Sequence, residues 1–140
     1  MLYNSLVKGL IKCAAKEPNI NFVGCNDIYK LNSIPDLEYS CFWVTPNTFT
    51  MEEDTITYSI NLYYIDRWDE SEENQLSIQS TGILALTNII NRFQAFTQAE
   101  VVYPITFTPF YQQFKDITAG VYARIDIIVD NDIGQCTNEF

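Results

Sequence analysis

Residues 55–93 read TITYSINLYYIDRWDESEENQLSIQSTGILALTNIINRF, and this stretch decides the fold. Its first third alternates. Ile56, Tyr58, Ile60, Leu62 and Tyr64 share one face, while Thr55, Thr57, Ser59, Asn61 and Tyr63 share the other. A period of two marks a sheet strand with one buried side. The last third changes period: Leu76, Ile83, Leu86, Ile90 and Phe93, widened by Ile89 and Phe96, fall on one helical stripe that packs on a sheet. Between the two lies an acidic turn holding Asp66, Asp69, Glu70, Glu72, Glu73 and a single arginine, Arg67. Gly82 interrupts the helix, which close packing against the sheet would explain.

Working outward, residues 2–16 form an amphipathic helix of about four turns. Leu2, Leu6, Leu10 and Ala14 lie inward, Lys8, Lys12 and Lys16 outward, and Pro18 ends it. Residues 21–24 form a short strand, followed by irregular chain through Pro35. Residues 37–45 (LEYSCFWVT) are apolar on both parities, as in a strand covered on both faces. Residues 46–54 read as a turn. Residues 101–108 form a strand that Pro104 demotes to a sheet edge, because proline has no ladder donor. Residues 109–115 then lead through Asp116 and Ala119-Gly120 into a last strand ending at Asp130. The expected fold is α+β: a mostly antiparallel sheet of four to five strands with two helices packed on one face. Residues 1–130 make one domain, and residues 131–140 an irregular tail.

The 140 residues are 47% apolar and 14% aromatic, which excludes a disordered chain. Eighteen acidic residues against eight basic ones leave a formal charge of −10. Such a chain repels nucleic acid and anionic membrane. That surface either solubilises the protein or keeps it from adhering to DNA. The apolar run of residues 1–17 is broken by Lys8 and Lys12, so no signal-peptide core forms, and no run is long enough to span a membrane. A soluble, intracellular protein is expected.

Candidate chemistry is sparse. There is no histidine, and Cys13, Cys25, Cys41 and Cys136 stand far apart without a CxxC pair, as reduced thiols do in a cytosolic protein. The carboxylates at 66–73 lack the spacing and central glycine of a calcium loop; Ser71 or Asp69 instead caps the helix that follows. No nucleophile elbow, phosphate loop or dinucleotide fingerprint is present. No enzyme activity, metal or cofactor is expected. Arg67 and Arg124 pair either with neighbours such as Asp66 and Asp126 or with a second copy of the chain.

The run from Tyr58 to Phe93, followed by ITFTPFYQQFKDITAGVYARIDIIVDND at 105–132, resembles small neck proteins of tailed bacteriophages. These are the tail-terminator or tail-completion group, including neck ring proteins of phages of Bacteroidales gut bacteria. The shared pattern is a strand ending in Asp-Arg, an acidic turn, a long helix, a TPF-x-x-x-F segment, an Ala-Gly step and a closing alternating strand. The resemblance implies a structural virion protein of the neck or tail, assembled in the host cytoplasm. Its copies form a homo-oligomeric ring, docked on adjacent portal, neck or tail proteins, around a channel that genomic DNA traverses without specific binding. It implies a channel lining drawn from Glu52, Glu53 and Asp54, or from Asp69, Glu70, Glu72 and Glu73. The candidate subunit contacts are Arg67, Trp68, Tyr103, Phe107, Phe110, Tyr111, Phe114 and Arg124, since edge strands and flat aromatic side chains suit self-association. Two other readings remain open: an acidic DNA-mimic inhibitor, and a small enzyme working through Cys25 or Cys41.

Overall fold

Two strands with matching alternation anchor the sheet. The structure, a computed structural model, describes residues 1–35, 37–97, 99–113 and 116–131. In chain order it runs α1 (Tyr3–Ala15), β1 (Phe22–Cys25), a 3₁₀ helix (Ile28–Ser33), β2 (Cys41–Met51) and β3 (Thr55–Arg67). Then follow α2 (Glu72–Thr97), β4 (Glu100–Val101), β5 (Phe107–Gln113) and β6 (Ile117–Asp130). β3 and β6 pair antiparallel from Thr55–Asp130 to Arg67–Thr118. Partners across a ladder share a face, so Tyr58, Ile60, Leu62 and Tyr64 meet Ile127, Ile125, Ala123 and Val121 on one buried surface. β2 pairs antiparallel with β3, β1 lies parallel to β2, and β4 and β5 divide the far edge of β6. The fold is α+β, a six-stranded, mostly antiparallel sheet with both helices on one face.

α2 seats on that surface through small residues. Gly82 and Ala85 are buried with Ile78, Leu86, Ile89, Ile90 and Phe93. A Cβ on Gly82 would come within 2.7 Å of Val121 and 2.8 Å of Tyr64, so the glycine sets how close the helix lies to β3 and β6. The expected stripe is therefore rotated. Leu86, Ile89, Ile90 and Phe93 are inside, but Leu76, Ile83 and Phe96 stand 64%, 42% and 66% exposed. Counting only large apolar residues overlooks the small ones that determine the approach.

α1 covers the rest of the same face with Leu6, Val7, Leu10, Cys13 and Ala14. Arg92 of α2 holds its end, donating to Cys13 O at 2.9 Å and to the buried Glu17 carboxylate at 3.0 Å. On the opposite face a second cluster, Leu31, Leu37, Cys41, Trp43 and Ile65, covers the start of β2. The expectation of a strand covered on both sides holds there.

Three boundaries differ from expectation. β2 begins at Cys41 and does not turn at Pro46; a bulge between Pro46 and Thr48 carries it to Met51. The single strand expected at 101–108 is two pieces, broken around Pro104, with β4 opposite Ile127–Ile128 and β5 opposite 117–123. Residues 109–113, expected as a connection, belong to β5, and β6 starts at Ile117. Of the tail expected at 131–140, Asn131 is bonded to the β2–β3 turn, and residues 132–140 lie outside the described residues.

Gly82→Ala is expected to destabilise the protein despite alanine's better helix propensity. Overpacking costs about 1–3 kcal/mol against about 1 kcal/mol of propensity gained. Gly9→Ala in α1, whose Cβ would stop 3.2 Å from Phe93, should cost less. Urea midpoints of the two variants check this, and a Gly82→Ala midpoint at or above wild type would contradict it.

Candidate functional site

β3 carries an acidic segment at each end. At one end the β2–β3 hairpin turns through Glu52, Glu53 and Asp54, all exposed, with Glu52 N bonded to Thr55 O at 2.8 Å. Asn131, at the end of β6, ties this turn down by donating its backbone N–H to Asp54 O and its side-chain amide to Glu52 O and Glu53 O. The carboxylates themselves are left facing solvent. At the other end Asp69, Glu70, Glu72 and Glu73 are exposed around the start of α2. Thirteen residues separate the two segments, which at ~3.3 Å each sets them roughly 40 Å apart.

The second segment has a local role. Ser71 Oγ accepts the Asn74 N–H at 3.1 Å, and Asp69 accepts both the N–H and the hydroxyl of Ser71, at 2.9 and 2.6 Å. Asn74 returns the contact by accepting the Asp69 N–H at 3.0 Å. These bonds satisfy donors that a helix start leaves open, while Glu72 and Glu73 in the first turn favour its positive end. The hydroxyl and N–H of Ser71 hold Asp69 below the usual carboxylate range. Asp66, a few residues earlier, is pushed up by burial, partly offset by the Arg67 N–H it accepts at 2.8 Å.

The candidate contact residues do not form one surface. Alternation along β5 divides them: Phe107 packs into the helix-side core, and Phe110 lies on the opposite face against Tyr63 and Tyr122. Tyr111 returns to the helix side, its ring centroid 5.0 Å from that of Trp68 and its hydroxyl bonded to Gln75. Trp68 donates its indole N–H to Ser71 O. Tyr103, 57% exposed, donates to Gln94 of α2. Arg67 lies 3.7 Å from Asp116 and stacks over Tyr39, rather than reaching Asp66. Arg124 donates to Ser59 and lies 4.0 Å from Asp126. Phe114 lies outside the described residues.

Sequence spacing gave no sign of two concave surfaces. A polar cleft of about 360 Å³ gathers Asn19, Ser40, Tyr64, Asp66, Ser77 and Thr81 from four separate segments. A groove of about 440 Å³ between α1 and the end of α2 is lined by Gly9, Cys13, Ala15, Phe96 and Thr97, with Lys12 and Lys16 along it. Cys41 is fully buried and its thiol is pushed up to about 12, so it presents no thiolate at neutral pH. Among the described residues no three carboxylate or thiol groups converge to hold a metal ion, and no helix is long and apolar enough to cross a membrane. Compared with known proteins, the sequence matches no family model and no curated protein.

The two perturbed aspartates should act oppositely on stability. Asp69, lowered on folding, contributes stability above the ordinary aspartate value of 3.8, and that contribution is lost as pH falls through its folded value. Asp66, raised on folding, contributes below 3.8 and loses that contribution as pH rises through its folded value. Between pH 2 and 7, Asp66→Asn should therefore gain on wild type as pH rises above about 4, whereas Asp69→Asn should lose on wild type as pH rises toward about 4. Unfolding midpoints of the three proteins across that range check the ordering; parallel curves would contradict it.

Proposed function

We propose that this chain is a ring-forming structural subunit of a phage neck, acting as head–tail connector or tail terminator. The observation that carries the reading is apolar surface left uncovered in two places. On the β2–β3 hairpin, Phe49 and Met51 are 51% and 74% exposed. Beside β5, which among the described residues pairs only with β6, Leu76, Ile83, Tyr103 and Tyr111 are 42–64% exposed. Leu76, Ile83 and the Tyr103 partner Gln94 fall on one helical face by their spacing. An open strand edge beside an apolar strip is a liability in a monomer and a contact surface in an assembly.

The charge fits the same reading. All seven carboxylates singled out for a channel lining are exposed, and they sit at the two ends of the longest ladder. A wall of such groups repels phosphates, so a duplex slides past without the cation contacts that would hold it. The division into two ends is less favourable to the inhibitor reading, in which carboxylates follow one continuous strip at phosphate spacing. In this proposal the protein resides in the virion, neighbouring portal or tail proteins above and below.

Mass photometry and negative-stain imaging of the purified chain, alone and mixed with the other neck proteins of its virion, test the proposal. Annular particles of uniform copy number are expected. A strict monomer in every mixture would overturn it.

A further inference from the structure

The β2–β3 hairpin and the α1–α2 groove are complementary in both polarity and charge. The groove has an apolar floor of Gly9, Cys13, Ala15 and Phe96 and a cationic rim of Lys12 and Lys16, with the Lys16 ammonium 4.5 Å from the Phe96 ring centroid. Phe96 is 66% exposed, a high value for a phenylalanine beside a helix pair. Among the described residues the three ion pairs are all made by arginines, so the rim lysines face solvent without a carboxylate. A cationic rim over an apolar floor selects an occupant that offers apolar side chains and carboxylates within a few residues of each other.

The hairpin offers that combination. Phe49 and Met51 project from β2, and Glu52, Glu53 and Asp54 follow directly, all exposed. Methionine is unbranched and polarisable, and adapts to an irregular apolar groove. Charge decides between the two apolar surfaces that could receive it. The strip beside β5 adjoins Trp68 and the carboxylates Asp69 to Glu73, which repel the hairpin tip, whereas the groove rim attracts it.

We propose that the hairpin of one copy seats in the α1–α2 groove of the next, with Met51 over Phe96 and Glu52 and Glu53 opposite Lys12 and Lys16. This rests on the self-association proposed above and specifies its contact. Every copy gives one hairpin and receives one, so the contact is heterologous, and its repetition builds a ring when the rotation from copy to copy closes.

Charge exchange tests it on the full chain. Lys12→Glu/Lys16→Glu and Glu52→Lys/Glu53→Lys should each raise the half-assembly concentration, measured by sedimentation, at least about tenfold, equivalent to about 1.4 kcal/mol. The chain carrying all four changes, and the equimolar mixture of the two double variants, should recover assembly. Met51→Ser should weaken assembly with the charges intact. All five positions are exposed, so circular dichroism and unfolding midpoints should stay at wild-type values. Double variants that assemble like wild type, or a four-fold variant that folds yet fails to recover, would overturn the hairpin contact alone. A wild-type chain that never associates would overturn it together with the ring. A groove that takes up a fatty acid with no effect on assembly would likewise count against it.

Discussion

The β3–β6 ladder is the constraint from which the rest follows. It pairs thirteen residues on each strand without a break, roughly 40 Å of continuous sheet. One face of that length must be sealed, and α2 has the matching dimension: 26 residues, or about 39 Å at 1.5 Å each. Gly82 against Tyr64 and Val121 fixes the separation of the two layers. α1 has only 13 residues, about half the span, and is joined to α2 by the Arg92–Glu17 pair. The distal part of β2 is thus left with little cover beyond Tyr3, whose ring lies 4.7 Å from Phe49. The exposed hairpin is a consequence of a sheet longer than one of its two helices.

The same lengths separate the acids. Carboxylates disfavour the buried ladder and collect in the turns beyond its ends, which explains their placement without reference to function. The two groups nevertheless differ in what they touch. Asp69 and the glutamates after it are engaged in starting α2, through Ser71, Asn74 and the helix dipole. Glu52, Glu53 and Asp54 offer only backbone atoms to Asn131 and leave their side chains free of any such role. Of the two segments, the hairpin is the one whose carboxylates have no part in starting a helix.

Periodicity made the framework legible. The alternation in β3 and β6 appears in the structure with the same residues inside, and so does the four-residue repeat in α1 at Leu6, Leu10 and Ala14, whereas Leu2, just ahead of the helix, is 52% exposed. The double-sided start of β2 appears as well, where Phe42 and Val44 face one core and Cys41 and Trp43 the other. Legibility fails where a rule about one residue type competes with pairing. Pro46 and Asn47 look like a turn, yet a bulge absorbs them and the strand continues. The face of α2 is set by glycine and alanine, which carry little hydrophobic weight. The aromatic group around β5 looked contiguous in sequence, but a period of two sends Phe107 and Phe110 to opposite faces. The polar cleft and the α1–α2 groove draw on residues scattered along the chain, and no local pattern encodes them.

Charge sorting gives the last step. The described arginines are engaged within the chain, with Asp116, Glu17 and Asp126, while the lysines of α1 remain outside. Two copies each carrying −10 repel at a distance, but beyond about 8 Å that repulsion is screened at physiological salt, whereas contacts at ion-pair distance are screened less. A local patch of opposite sign favours association between such copies, and the lysines of α1 supply one. If the hairpin carboxylates lie against those lysines, they are neutralised at the subunit contact and cannot also face a passing duplex. The group left to repel phosphates is then Asp69 to Glu73, some 40 Å away at the other end of β3. Within this reading, one acidic segment joins the subunits and the other faces the bore, and the length of a single strand keeps the two tasks apart.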